Sequence, residues 1–121
     1  MGATWIYSIM DAVADGIQLE DRACIELSVE YIKDNIMEST TGYIRERMAR
    51  SLRHVTLSKD QKERLALSFM TQLEQQTLHK EFREYIRLFK TIGVEPYRKI
   101  IEKYLNSKKE FIRRAAEKLL V

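Results

Sequence analysis

Residues 80–120 read KEFREYIRLFKTIG (80–93), VEPYRKIIEKYL (94–105) and NSKKEFIRRAAEKLL (106–120). This stretch decides the fold. A helix over about Lys80–Ile92 is stopped by Gly93, where a left-handed residue costs little. Val94-Glu95-Pro96 opens a second helix with Pro96 in its first turn, where the missing N–H is harmless. That helix runs to Asn106, and Ser107 with Glu110 three residues on forms a capping pattern for a third. Two places in the stretch correspond, Phe82-Arg83 and Ile112-Arg113, 30 residues apart. Ile44-Arg45 is an earlier copy, and each copy has an apolar residue three after its Arg: Met48, Ile86 and Ala116.

Working outward, four more helices precede these. The first, near Ala3–Ala14, places Trp5, Ile6, Ile9, Met10 and Val13 on one face at spacings of three and four. Asp15-Gly16 is expected to break it. A long second helix, about Leu19–Met37, carries Ile25, Val29, Ile32 and Ile36, and Ser39–Gly42 interrupts the chain next. The third, about Gly42–His54, has Ile44, Met48, Leu52 and Val55 as its stripe. The fourth is capped by Ser58 with Gln61 in the capping-box position and runs to about Gln76 over Leu65, Phe69 and Leu73. No alternating strand pattern competes, so the expectation is an all-α chain of about seven antiparallel helices with short connections.

The Ile-Arg, Phe-Arg and Ile-Arg copies resemble the short, phycobilisome-lyase type of HEAT-like repeat. In such repeats "apolar-Arg-x-x-Ala" opens one helix, a glycine-containing turn ends it, and a second helix packs alongside. The likeness is best over residues 79–120, weaker over 41–78 and absent over 1–40. Ile86 and Met48 stand where Ala is usual, and one Gly stands where two are common. The resemblance implies a stack of helical hairpins whose core is buried between neighbours, with Arg83 and Arg113 bracing adjacent repeats. An ordinary compact helical bundle is the alternative.

With 121 residues, 45% hydrophobic and 32% charged, the chain is sized for one domain over residues 1–121 with a core of its own. One cysteine, Cys24, excludes an internal disulfide framework, and its apolar neighbours mark it as an inert core thiol in a reducing compartment. The expected setting is therefore the cytoplasm. No apolar run approaches the 18 residues of a membrane span, and no basic residue precedes the apolar start as in a secretion signal.

Charge is distributed unevenly: residues 1–40 carry net −6 and residues 41–121 net +9. Such polarity steers a partner or attracts the molecule's own other half. Arg45, Arg47, Arg50, Arg53 and His54 fall within ten residues of one helix. At about 100° per residue from Arg45, the other four lie between about 80° and 200°, opposite a stripe at about 260–340°. Guanidiniums in a row suit phosphate oxygens. A second group, Arg98, Lys99, Lys103, Lys108, Lys109, Arg113, Arg114 and Lys118, is interleaved with Glu95, Glu102, Glu110 and Glu117 at pairing distances. Lys109 and Arg114 are its candidates for an anionic partner.

Glu26, Glu30 and Asp34 form an i+4 ladder that serves as a solvated face or as an internal partner for the basic half. Neither histidine has the Glu three residues earlier that a carboxylate-bridged metal site needs, so no metal or other cofactor is expected. No phosphate loop or nucleophile elbow occurs, leaving no basis for naming a reaction. The leading expectation is a non-catalytic helical module binding another protein through a charged surface, with Trp5 and Ile9 as interface candidates. The alternative is a nucleic-acid-binding protein using the arginine face. Homodimerisation through Leu119, Leu120 and Val121 is a third route.

Overall fold

A computed structural model describes residues 2–34, 42–76 and 82–121, with side chains from residue 9 and, in the second segment, from residue 44. The described residues form seven α-helices and no strand: α1 (Gly2–Gln18), α2 (Arg22–Asp34), α3 (Gly42–Leu52), α4 (Lys59–Gln75), α5 (Phe82–Ile92), α6 (Arg98–Lys103) and α7 (Glu110–Leu120). Two 3-10 turns, Glu95–Tyr97 and Tyr104–Asn106, flank α6.

The helices sort into two layers. In one, α1 packs on α3, α3 on α5 and α5 on α7; in the other, α2 packs on α4. Contacts of α1 with α2, α2 with α3 and α4 with α5 join the layers, and α6 packs on α7. Hydrogen bonds within a layer show its direction. Glu26 accepts from Gln61 and Arg64, Glu30 from Arg64, and the Lys33 carbonyl from Ser68. Residue numbers rise together along the pair, so α2 and α4 run side by side in the same sense.

These bonds, with those from Arg47 to Asp11 and Asp15 and from Ser107 and Lys109 to Gln76, span 31–38 residues. Each helix of a layer therefore meets the next but one along the chain. Ile44, Phe82 and Ile112 lie in the first turns of α3, α5 and α7, all in one layer, and all are buried, as are Met48, Ile86 and Ala116.

Local chemistry explains most helix ends. Ser58 accepts from the Gln61 N–H while the Gln61 side chain accepts from the Ser58 N–H, completing the expected capping box. Asp21 accepts from the Cys24 N–H at 3.1 Å and caps α2. Gly93, at φ 106°, takes the left-handed conformation expected after α5. Phe69 of α4 stacks on Tyr85 of α5 at 5.0 Å between ring centroids, and Phe89 meets Phe69 at 5.6 Å and Tyr97 at 5.8 Å. This aromatic chain joins both layers at the centre of the core.

Several boundaries depart from expectation. Asp15-Gly16 does not break α1, which continues to Gln18; the turn comes at Leu19-Glu20, with Glu20 at φ 57°. Gly16 is there for contact, since a Cβ on it would lie 2.4 Å from the Cys24 sulfur and 3.0 Å from its Cβ. The space beside Gly16 is filled by the Cys24 side chain of α2. Ser107 does not cap α7: its hydroxyl accepts from Lys109 N–H, Lys109 takes the N-cap position and α7 starts at Glu110. The Val94–Asn106 segment is three short pieces rather than one helix. Leu119 is buried in the core, so of the proposed dimer edge only Val121 is fully exposed. The interruption at Ser39–Thr41, and His79, lie outside the described residues.

Candidate functional site

The arginines of α3 do not form a free row. Arg47 donates from Nη1 to Asp11 at 2.7 Å and from Nη2 to Asp15, both on α1. Burial opposes its charge, but the hydrogen bonds it donates to Asp11 and then Asp15 outweigh that and hold the pKa above the ordinary arginine value. Arg50 donates to Glu46 at 3.0 Å and lies 3.7 Å from the buried Glu84 of α5. Glu84 also accepts from Arg87 at 3.2 Å. Arg47 thus ties α1 to α3, and Arg50 ties α3 to α5.

Arg45 corrects the expected exposed face most directly, being 3% exposed. The buried arc of α3 runs from Ser51 and Ile44 through Leu52 and Arg45 to Ala49. That is about 160° at about 100° per residue, twice the width of the sequence stripe. A helix packed between α1 and α5 needs this breadth. Arg53 is half-buried, with its Nε enclosed, and His54 is exposed. Of the five residues, His54 and Arg50 are the ones presented to solvent.

An open cleft of about 550 Å³ lies at this end of the molecule, lined by Gln18, Glu20, Arg47, Arg50, Ser51, His54 and Val55. Its charge is not positive. Arg47 and Arg50 already contact Asp11, Asp15, Glu46 and Glu84, and Glu20 adds a further carboxylate to the wall. α1 ends at Gln18 and α3 at Leu52, so two electronegative helix C-termini open here as well. The late arginines and His54 complement those ends.

The second layer has its own brace, which the sequence reading did not single out. Arg64 of α4 donates to Glu26 at 2.6 and 2.8 Å, to Glu30, and through Nε to Asp60 at 2.9 Å. The Arg64 hydrogen bonds, followed by that of Gln61, pull the Glu26 carboxyl down to about 2, against an opposing push from burial. Those same bonds raise the Arg64 pKa. Two rungs of the Glu26–Glu30–Asp34 ladder therefore serve as internal partners. The available signal was the spacing: Arg64 lies 38 and 34 residues after Glu26 and Glu30, close to the distance between sequence copies.

The acidic opening is thus met by arginines one unit downstream, whereas the end of the chain is not balanced. Residues 82–121 hold eleven Lys and Arg against five Glu. Glu84, Glu95 and Glu110 are occupied by arginines. Lys90, Lys99, Lys103, Lys108 and Lys118 are exposed and have no ion-pair partner among the described residues. Lys109 is used structurally: its ammonium donates to the Gln76 carbonyl at 3.3 Å, at the C-terminus of α4. Arg114 pairs with Glu110 at 2.9 Å, both about two-thirds exposed. Of the expected bracing arginines, Arg83 is exposed and Arg113 donates to the Ser107 carbonyl at 2.7 Å.

Ile9 is partly exposed on α1, and the Trp5 side chain lies outside those described. No helix among the described residues is long and apolar enough to cross a membrane. No protein-family model matches the chain, and no curated protein or solved structure matches it.

Proposed function

We propose that this chain is a non-catalytic helical-repeat module, of HEAT-like character, that binds an acidic protein partner through its basic C-terminal end in a reducing cytoplasm. One observation carries the reading. Acidic residues of α1 and α2 are taken up by Arg47 and Arg64, while five exposed lysines of the last third are left without partners. Unpaired surface charge of one sign raises encounter rates with an oppositely charged partner and selects against like-charged ones. The repeat character is supported by the 31–38-residue span of the interhelical hydrogen bonds.

A nucleic-acid interface built on α3 has less support, because phosphate would compete with carboxylates already within 2.7–3.7 Å of Arg47 and Arg50. The test is a titration of the full chain with labelled oligoglutamate and with duplex and single-stranded oligonucleotides, at low and physiological salt. Salt-sensitive binding of oligoglutamate, lost on reversing Lys99, Lys103 and Lys118 to Glu, is the expected result. Absence of binding at low salt, or binding of oligonucleotide alone, overturns the proposal.

A further inference from the structure

We infer that the corner where α6 turns into α7 is the docking point for an acidic segment that also carries large apolar side chains. This rests on the basic-end reading above and adds the chemistry of the partner. Leu105, in the 3-10 turn, is 37% exposed, and Phe111, in the first turn of α7, is 48% exposed. The turn packs directly against α7. Lys103, Lys108 and Lys109 flank these two residues along the chain, and all three are exposed. Glu110, the carboxylate between Lys109 and Phe111, is held by Arg114.

The corner is held in place before any partner arrives. The Lys109 ammonium lies 5.8 Å from the Phe111 ring centroid and also donates to Gln76, anchoring the corner to the end of α4. Ser107 adds a hydrogen bond to the Gln76 side chain at 3.4 Å. An aromatic ring beside a cation, on a corner tied to α4, is an arrangement in which a few residues dominate binding. Two exposed apolar side chains of the other layer sit differently. Leu27 lies beside Glu26 and one turn from Glu30, and Leu67 lies one turn from Glu63. At the corner, the exposed Lys103 and Lys108 lie within three residues in sequence of Leu105 or Phe111, so charge complementarity selects an acidic partner. Lys109 occupies one side of the Phe111 ring, which disfavours base stacking. Two side chains on a packed corner give a membrane surface little to hold.

The experiment measures anisotropy of a labelled synthetic peptide alternating paired glutamates with leucine or phenylalanine, against oligoglutamate of equal charge. A phosphatidylserine–phosphatidylcholine vesicle and a single-stranded oligonucleotide are the other probes. Phe111→Ser combined with Leu105→Ser should weaken the amphipathic peptide by about tenfold and leave oligoglutamate unchanged. Phe111→Leu should retain the affinity, which separates loss of the anchor from loss of the fold. Reversal of Lys103 and Lys108 to Glu should weaken both peptides. Equal affinity for the two peptides, or indifference to Phe111→Ser, overturns the apolar anchor while leaving the charge reading standing. Binding of neither peptide at low salt overturns both, and preference for the vesicle or the oligonucleotide replaces the peptide with that class.

Discussion

Arg64 and Glu26 are 38 residues apart in sequence, yet Nη2 of one lies 2.6 Å from Oε1 of the other. The contact joins α4 to α2 within one layer, as Arg47 joins α3 to α1 in the other. Arginine suits this role because its fork can serve two carboxylates at once, here Glu26 and Glu30.

The brace gives stability a defined pH dependence. The Glu26 carboxyl titrates near 2 in the folded chain, below its ordinary 4.5. A lowered carboxyl contributes stability above its unfolded value, and that contribution is lost as pH falls from about 4.5 towards 2. Wild-type urea midpoints should therefore decline across this window, and Arg64→Met should decline less steeply. At neutral pH Arg64→Met should cost about 1 kcal/mol, since the partners are partly solvated. Parallel slopes for the two proteins would show that the brace carries no pH linkage.

Gly16 makes a prediction of unusual sign. In an exposed helix interior, Gly→Ala stabilises by roughly 0.5–1 kcal/mol. Here the added methyl would meet the Cys24 sulfur at 2.4 Å and its Cβ at 3.0 Å. Rotation of the thiol relieves the first contact and cannot relieve the second. Gly16→Ala should destabilise by about 1–3 kcal/mol, and a Cys24→Ala background should recover part of that loss. Thermal melts of the four proteins in this cycle decide the matter; a stabilised single variant would place α1 and α2 further apart than described.

The same neighbourhood governs thiol chemistry. Burial, reinforced by the nearby Asp21 carboxylate, pushes the Cys24 pKa above its ordinary 9.0. Little thiolate is then present at neutral pH, and alkylation should be slow until the chain unfolds. Maleimide or iodoacetamide labelling with and without denaturant should show a marked increase on unfolding. Rapid labelling of the native chain would contradict this packing of α2.

Much of this architecture was legible in the sequence, and its limits have physical causes. The capping box at Ser58-Gln61 and the left-handed Gly93 are local, so they could be read directly. The apolar residues Ile44, Phe82 and Ile112, expected from their spacing to be core positions, are all buried. Asp15-Gly16 misled because a glycine inside a helix is tolerated where a neighbouring helix's side chain, here that of Cys24, needs the space. The arginines of α3 misled for a related reason: helical phase separates buried from unburied, but does not tell a surface facing water from one facing a neighbouring helix's carboxylates. That distinction depends on contacts 31–38 residues away, and reading Arg64 against Glu26 and Glu30 at this spacing was the route to it.

Arg47 offers the test that separates brace from ligand site. If it serves only to hold α1 on α3, replacing it removes two hydrogen bonds to carboxylates and leaves Asp11 and Asp15 facing each other across one turn. Arg47→Met should then lower stability by about 1–2 kcal/mol, the range for charge-assisted bonds in partly buried positions. Affinity for oligoglutamate or for an oligonucleotide should stay unchanged under conditions where the variant remains folded. Restoring a cation as Arg47→Lys should recover only part of the stability, because an ammonium cannot present two parallel N–H groups to two carboxylates. The measurement pairs urea denaturation with a binding titration on the same samples. Loss of binding without loss of stability would return the α3 face to the status of a recognition surface and move the functional site away from the basic end.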